Sequence, residues 1–207
     1  MIEVNSRKER ERQRNIFDII QVTGLLVSER GLNAVSMDEI AKEAGFGKGT
    51  LYNYFQNKED LMSCMFKVHF EKYLLEIHRI ANTDAPFINM IKSMLEFTSN
   101  YLNREKGVTQ LLDQLSYSLQ EKGDTKLKTE ALLIVAELHK FYPAFFKKAM
   151  DQGLITKRDP IRFFIAVFNT LTELQRSSQS GIIPNGESDN IEFVLQLFFP
   201  ECQETLN

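Results

Sequence analysis

Ser36-Met-Asp-Glu-Ile-Ala-Lys-Glu-Ala-Gly45-Phe-Gly-Lys-Gly-Thr50-Leu-Tyr-Asn-Tyr-Phe55-Gln-Asn-Lys58 carries two helical signals either side of a short break. Ser36 followed three residues later by Glu39 is a capping box, in which each side chain satisfies an amide that a helix start leaves without a partner. It predicts a short helix from Met37 to Ala44. Gly45 supplies the positive φ that ends this helix, and only Gly45 to Gly47 separate it from a second pattern, Lys48 to Phe55. Leu51 and Phe55, spaced i, i+4, anchor the second helix. Lys48, Gly49, Thr50, Tyr52, Asn53, Tyr54 and Lys58 crowd it and its flank with groups suited to phosphate and base edges. A supporting helix, a tight turn and a recognition helix make up a helix-turn-helix.

Upstream, Ile16, Ile19, Ile20, Thr23, Val27 and Arg30, with Leu26 filling in, follow i, i+3, i+4 spacing and predict an amphipathic helix from about Ser6 to Arg30, ended by Gly31. Gly24 inside it costs about 1 kcal/mol relative to Ala and marks a close approach of a neighbouring helix. Arg7, Lys8, Arg10, Arg12 and Arg14 against Glu9 and Glu11 give this helix's entry a local charge of +3. Downstream, Asn57 is an N-cap, and Met62, Met65, Phe66, His69, Tyr73, Ile77 and Ile80 form one stripe of a long helix. Further helices follow over about 86–103, 107–121, 125–152, 160–178 and 188–199, with Asp159 and Pro160 as N-cap and first residue of the fourth of these. No alternating strand pattern or fixed-period repeat interrupts them. The fold class is all-α, with about nine helices.

Composition narrows the function. The 207 residues carry a net charge of −3, which excludes a chain coated in basic charge for general nucleic-acid or membrane binding, so any DNA contact is local. No apolar run reaches the ~18 residues of a membrane helix, and the amino terminus lacks a signal-peptide core, so a cytoplasmic protein is expected. Cys64 and Cys202 lack metal or redox spacing and read as free thiols. His69, His78 and His139 have no ligand spacing, and no nucleophile, P-loop or paired-carboxylate motif occurs; no metal, cofactor or enzymatic role is implied.

From Ile16 to Leu61 the chain resembles the TetR (tetracycline repressor) family of bacterial transcription regulators, whose pattern of capped Ile-Ala helix, Ala-Gly turn and Thr-Leu-Tyr-x-Tyr/His-Phe-x-x-Lys is met without a gap. The resemblance implies a helix-turn-helix DNA-binding domain over 1–58, with its amino-terminal arm, and a helical ligand-binding and dimerisation domain over 59–207, joined by a connecting helix over about 58–81. It makes Ser36, Thr50 and Lys58 phosphate contacts and Tyr52 and Tyr54 backbone-contacting or groove-facing aromatics. Lys48, Gly49 and Asn53 become the base readers. Arg7, Lys8, Arg10, Arg12 and Arg14 resemble arms laid along the minor groove or backbone. The chain departs from the pattern at Gly47, where many relatives carry Ser or Thr, and at Asp38, where some place a base-reading Arg or Lys.

The implied partners are double-stranded DNA with a palindromic operator, a second copy of the chain in a homodimer, and a hydrophobic small-molecule effector; no membrane is involved. The phenylalanine-rich carboxy-terminal part is read as mostly core around an apolar cavity of ~300 to 1,000 Å³. Tyr101, Gln114, Tyr117, His139, Tyr142, Asn169 and Glu173 are its candidate polar groups. Ile161, Phe164, Ile165, Phe168, Phe193, Val194, Leu197 and Phe198 offer more apolar surface than one subunit buries and are assigned to the dimer interface. The function expected is a sequence-specific repressor released by its effector. An activator or protein-partner factor without an effector, and more distantly a helical carrier or enzyme, are the alternatives.

Overall fold

The computed structural model describes residues 7–107, 126–184 and 186–205. Among the described residues there are eight α-helices and no strand: α1 (Arg7–Arg30), α2 (Met37–Glu43), α3 (Lys48–Tyr54), α4 (Lys58–Ala81), α5 (Phe87–Arg104), α6 (Lys126–Asp151), α7 (Pro160–Gln179) and α8 (Glu187–Phe198). Beyond its first residue, the helix expected over 107–121 lies outside them.

The chain forms two compact units, Met1–Glu71 with Glu105–Leu133, and Lys72–Arg104 with Ile134–Asn207. The first reaches past residue 58 because the opening turns of α4 carry its core: Leu61, Met62, Met65 and Phe66 are buried with Ile19, Ile20, Val27, Ile40 and Leu51. Thr23 is accommodated among these apolar neighbours because its hydroxyl donates to the Ile19 carbonyl at 2.7 Å. The close approach anticipated at Gly24 is made by Gly107, where an added Cβ would stand 2.5 Å from the Gly24 carbonyl oxygen. Buried His69 has Nδ1 3.3 Å from Glu105.

The second unit is held by rings. Phe146 and Phe163 meet edge to face at 4.9 Å between centroids, and Phe163 meets Phe199 at 5.4 Å in the same manner. The Asp159 carboxylate accepts the Arg162 amide at 2.8 Å and Pro160 opens α7, as their order predicts. Helix α6 continues through Pro143.

Helices α7 and α8 divide their apolar residues between two sides. Phe163, Phe164, Val167 and Leu171 on α7, with Ile191, Val194 and Leu195 on α8, are buried within the unit. Phe164 and Val194, assigned from sequence to the dimer interface, therefore belong to the chain's own core: steps of about 100° per residue carry them round to the inner side. Ile161, Ile165, Phe193 and Leu197 stand 39–54% exposed, and Phe168 and Phe198 lie half-buried.

Candidate nucleic-acid interface and apolar cavity

The helix-turn-helix is fixed by local hydrogen bonds. The Glu39 amide donates to the Ser36 hydroxyl at 3.3 Å, and the Ser36 amide and hydroxyl donate to the Glu39 carboxylate at 2.9 and 2.8 Å. These bonds from Ser36 hold the Glu39 carboxyl below its ordinary pKa. At the far end Gly45 takes φ 74°, and Phe46 and Gly45 amides return to the Ala41 and Lys42 carbonyls, closing α2 and setting the turn. Gly47 opens α3 without a side-chain cap.

Buried Leu51 and Phe55 orient α3. Asn53 lies about 160° to 200° round the helix from them, at the middle of the exposed face, flanked by exposed Gly49, Thr50 and Tyr52. Two residues of the expected set are half-buried and bonded within the chain. The Tyr54 hydroxyl accepts the Asn15 amide at 3.0 Å, its ring meets Phe46 edge-on at 6.3 Å, and the Arg12 guanidinium lies 5.9 Å over that ring. Tyr54 thus ties α3 to α1. The half-buried Lys58 ammonium donates to the Leu32 carbonyl, and burial pushes its pKa down. Ser36, whose proton is directed to Glu39, likewise serves the fold here.

Arg7, Lys8, Arg10, Arg12 and Arg14 are exposed, but they form the opening turns of α1 and are not an arm preceding it. Their alternation with Glu9 and Glu11 continues an unbroken helix, and no Gly or Pro separates them from Ile16. One contact was not foreseen: the Lys48 ammonium lies 2.8 Å from the Asp38 carboxylate, bridging α3 and α2 across an exposed surface. Hydrogen bonding to Asp38 raises the Lys48 pKa, with Tyr52 adding to it.

The second unit contains a cavity lined by Ile91, Met94, Leu95, Tyr142, Phe164 and Leu171 among others. Its free volume is about 20 Å³, room for one water-sized sphere and far less than the sequence suggested. Of the polar residues expected there, Tyr142 lines it. His139, Asn169 and Glu173 are exposed, with His139 Nδ1 2.8 Å from the Val135 carbonyl and Glu173 paired to Arg176. Tyr101 packs on the Tyr73 ring at 5.2 Å, and Gln114 and Tyr117 lie outside the described residues. Thr98, which sequence reasoning missed, supplies the other polar lining. Its hydroxyl is 2.9 Å from the Tyr73 hydroxyl, itself 3.0 Å from that of Tyr142. Burial raises the pKa of both tyrosines, which remain neutral hydroxyls. Among the described residues no three His, Cys, Asp or Glu gather where a metal could be held, and no helix is long and apolar enough to cross a membrane.

A capped supporting helix, a glycine turn and a recognition helix with one face exposed define a helix-turn-helix DNA-binding protein. Residues 19–63 match the family described as bacterial regulatory proteins of the tetR family. An HTH-type transcriptional regulator of Staphylococcus aureus strain bovine RF122 is 27% identical over 139 residues, 67% of this chain and 70% of that one. The fold is shared with the fatty acid degradation regulator FadR of Bacillus halodurans (TM-score 0.73, 18% identity, 88% of this chain and 93% of that one). It is also shared with FadR of Bacillus subtilis, solved with stearoyl-CoA (TM-score 0.72, 18% identity, 88% and 96%). Residues 19–63 thus carry a tetR-family DNA-binding domain, and over about two thirds of its length the chain is similar to transcriptional regulators.

Proposed function

We propose that the chain is a homodimeric repressor that places the exposed faces of two α3 helices in successive major grooves of a palindromic operator, ~34 Å apart or somewhat more. The observation that carries this reading is the division of α3 into a buried Leu51–Phe55 side and an exposed side with Asn53 at its centre. Lys48, Gly49 and Asn53 read bases, Thr50 and Tyr52 contact the backbone, and the basic entry of α1 adds phosphate attraction. The exposed Ile161, Ile165, Phe193 and Leu197 meet their symmetry mates.

The effector is a hydrophobic small molecule. A long-chain acyl compound is the first to test, because the Bacillus subtilis FadR was solved with stearoyl-CoA and the lining here is almost wholly apolar. With room for only one water-sized sphere, the cavity must widen to admit it, and ligand binding favours the widened state. Helix α4 contributes residues to both units, so its displacement changes the spacing of the two recognition helices.

The test is selection of bound sequences from a random duplex library at a stated salt concentration, followed by anisotropy titration of the enriched duplex with acyl-CoAs and free fatty acids. An enriched palindrome supports the dimeric regulator. A 5- to 150-fold loss of operator affinity, a coupling of ~1 to 3 kcal/mol, supports the effector. Unchanged affinity across the ligand series removes effector release, and no enrichment removes operator binding.

A further inference from the structure

We propose that Asp38 and Lys48 act as one reading unit for a C·G base pair, Lys48 donating to the guanine edge and Asp38 accepting from the cytosine amino group. This rests on the DNA-binding reading above and adds a specificity-determining residue from α2, the helix that otherwise only supports α3.

The fold does not account for the pair. The amides at the start of α2 are served by Ser36 and Glu39, and α2 and α3 are anchored by buried Ile40, Leu51 and Phe55. Lys48 and Asp38 side chains are 63% and 59% exposed, and ion pairs in that setting contribute little to stability. Their place is informative. Lys48 lies one turn before Tyr52 on the same row of α3, beside the row of Gly49 and Asn53, so the pair borders the face proposed to enter the groove.

Its chemistry matches what that edge offers. A lone carboxylate would be repelled by the phosphates, but 2.8 Å from an ammonium it enters the groove as part of a neutral pair. A C·G pair presents a donor, cytosine N4, beside two acceptors, guanine O6 and N7, whereas the adenine donor is flanked by single acceptors. An acceptor held next to a flexible multiple donor is the complement of the first pattern.

The test repeats the library selection with the full-length chain and with Asp38→Ala and Lys48→Ala, each checked for wild-type helicity, and adds a duplex with 7-deazaguanine at the position concerned. The wild type is expected to fix one C·G pair in each half-site. Asp38→Ala should lower selectivity for that pair over T·A by about 5- to 100-fold, leave the other positions unchanged and raise affinity for unrelated duplex by removing a negative charge. Lys48→Ala should abolish the penalty for 7-deazaguanine. If the wild type enriches a sequence whose base preferences Asp38→Ala leaves intact, Asp38 is only a counter-charge and the pair does not read DNA. If the wild type enriches nothing, the DNA-binding reading falls with it.

Discussion

The ammonium of Lys58 makes a contact that the sequence pattern does not show, whereas the hydroxyl of Ser36 is committed to the capping box that the pattern does show, and each contact alters what the residue is free to do. A lysine donating to a half-buried carbonyl stabilises the chain between α1 and α2, so Lys58→Ala should cost about 1 kcal/mol, less than a fully buried charged hydrogen bond because the site is partly solvated. Denaturant unfolding measures that loss. The salt dependence of operator binding should stay unchanged, since a lysine on Leu32 releases no counterion from DNA; a slope reduced by about one would return Lys58 to the phosphate. The Ser36–Glu39 box has a definite pH sign. The Glu39 carboxyl is held below its ordinary value of 4.5, chiefly by the Ser36 amide, so its contribution is complete above that value and is lost as pH falls through the lower folded one. A carboxyl titration by NMR should show Glu39 moving only part of the way up toward 4.5 in Ser36→Ala, which removes the hydroxyl's bond and keeps the amide's. No difference between the two proteins would mean that the hydroxyl of Ser36 does not bond the Glu39 carboxylate in solution.

Elements whose signals lie within one or two turns of the chain are legible in the sequence: the capping box at Ser36, the left-handed Gly45, and Asp159 before Pro160 all form as their spacing predicts. Contacts made across helices are not. Asn15 is 39 residues from Tyr54, and nothing local distinguishes a tyrosine tied to α1 from one facing a groove. The exposed Asp38 looked only like a missing base reader, because its partner Lys48 is ten residues away on another helix. Gly24 shows both sides of this limit. Its close approach was legible from the cost of glycine in a helix, but the crowded Cβ position belongs to Gly107, which meets the Gly24 backbone. Gly107→Ala should therefore destabilise by about 1 to 3 kcal/mol, since a rigid carbonyl cannot yield. At Gly24 an added Cβ would meet only Met65 Sδ at 4.0 Å, so Gly24→Ala should be neutral or stabilise by up to about 1 kcal/mol. Thermal unfolding of the two variants separates these outcomes, and equal losses would mean that the two glycines share one crowded contact.

At the scale of the whole molecule, burial decides which apolar residues remain for a partner, and composition alone could not make that division. The sequence placed eight residues of α7 and α8 in one interface; the structure assigns Phe164 and Val194 to the subunit core and leaves Ile161, Ile165, Phe193 and Leu197 outside it. Phe193 and Leu197 are one turn apart on α8 and each more than half exposed, so they contribute little to the fold of a single chain. In a dimer of the kind proposed they are covered, and charges there would be buried unpaired against their mates. The double substitution Phe193→Asp, Leu197→Asp should accordingly leave helicity near wild type and convert the dimer to monomer by sedimentation velocity. Binding of a palindromic duplex should drop to that of an isolated half-site. Val194→Ala, one residue from Phe193 but fully buried, should do the opposite: it should lower unfolding free energy by about 1.5 to 2.5 kcal/mol through lost apolar burial and leave the oligomeric state alone. A dimer that survives the double substitution would place the interface elsewhere on the chain, whereas a double variant that loses its helicity would move Phe193 and Leu197 into the subunit core.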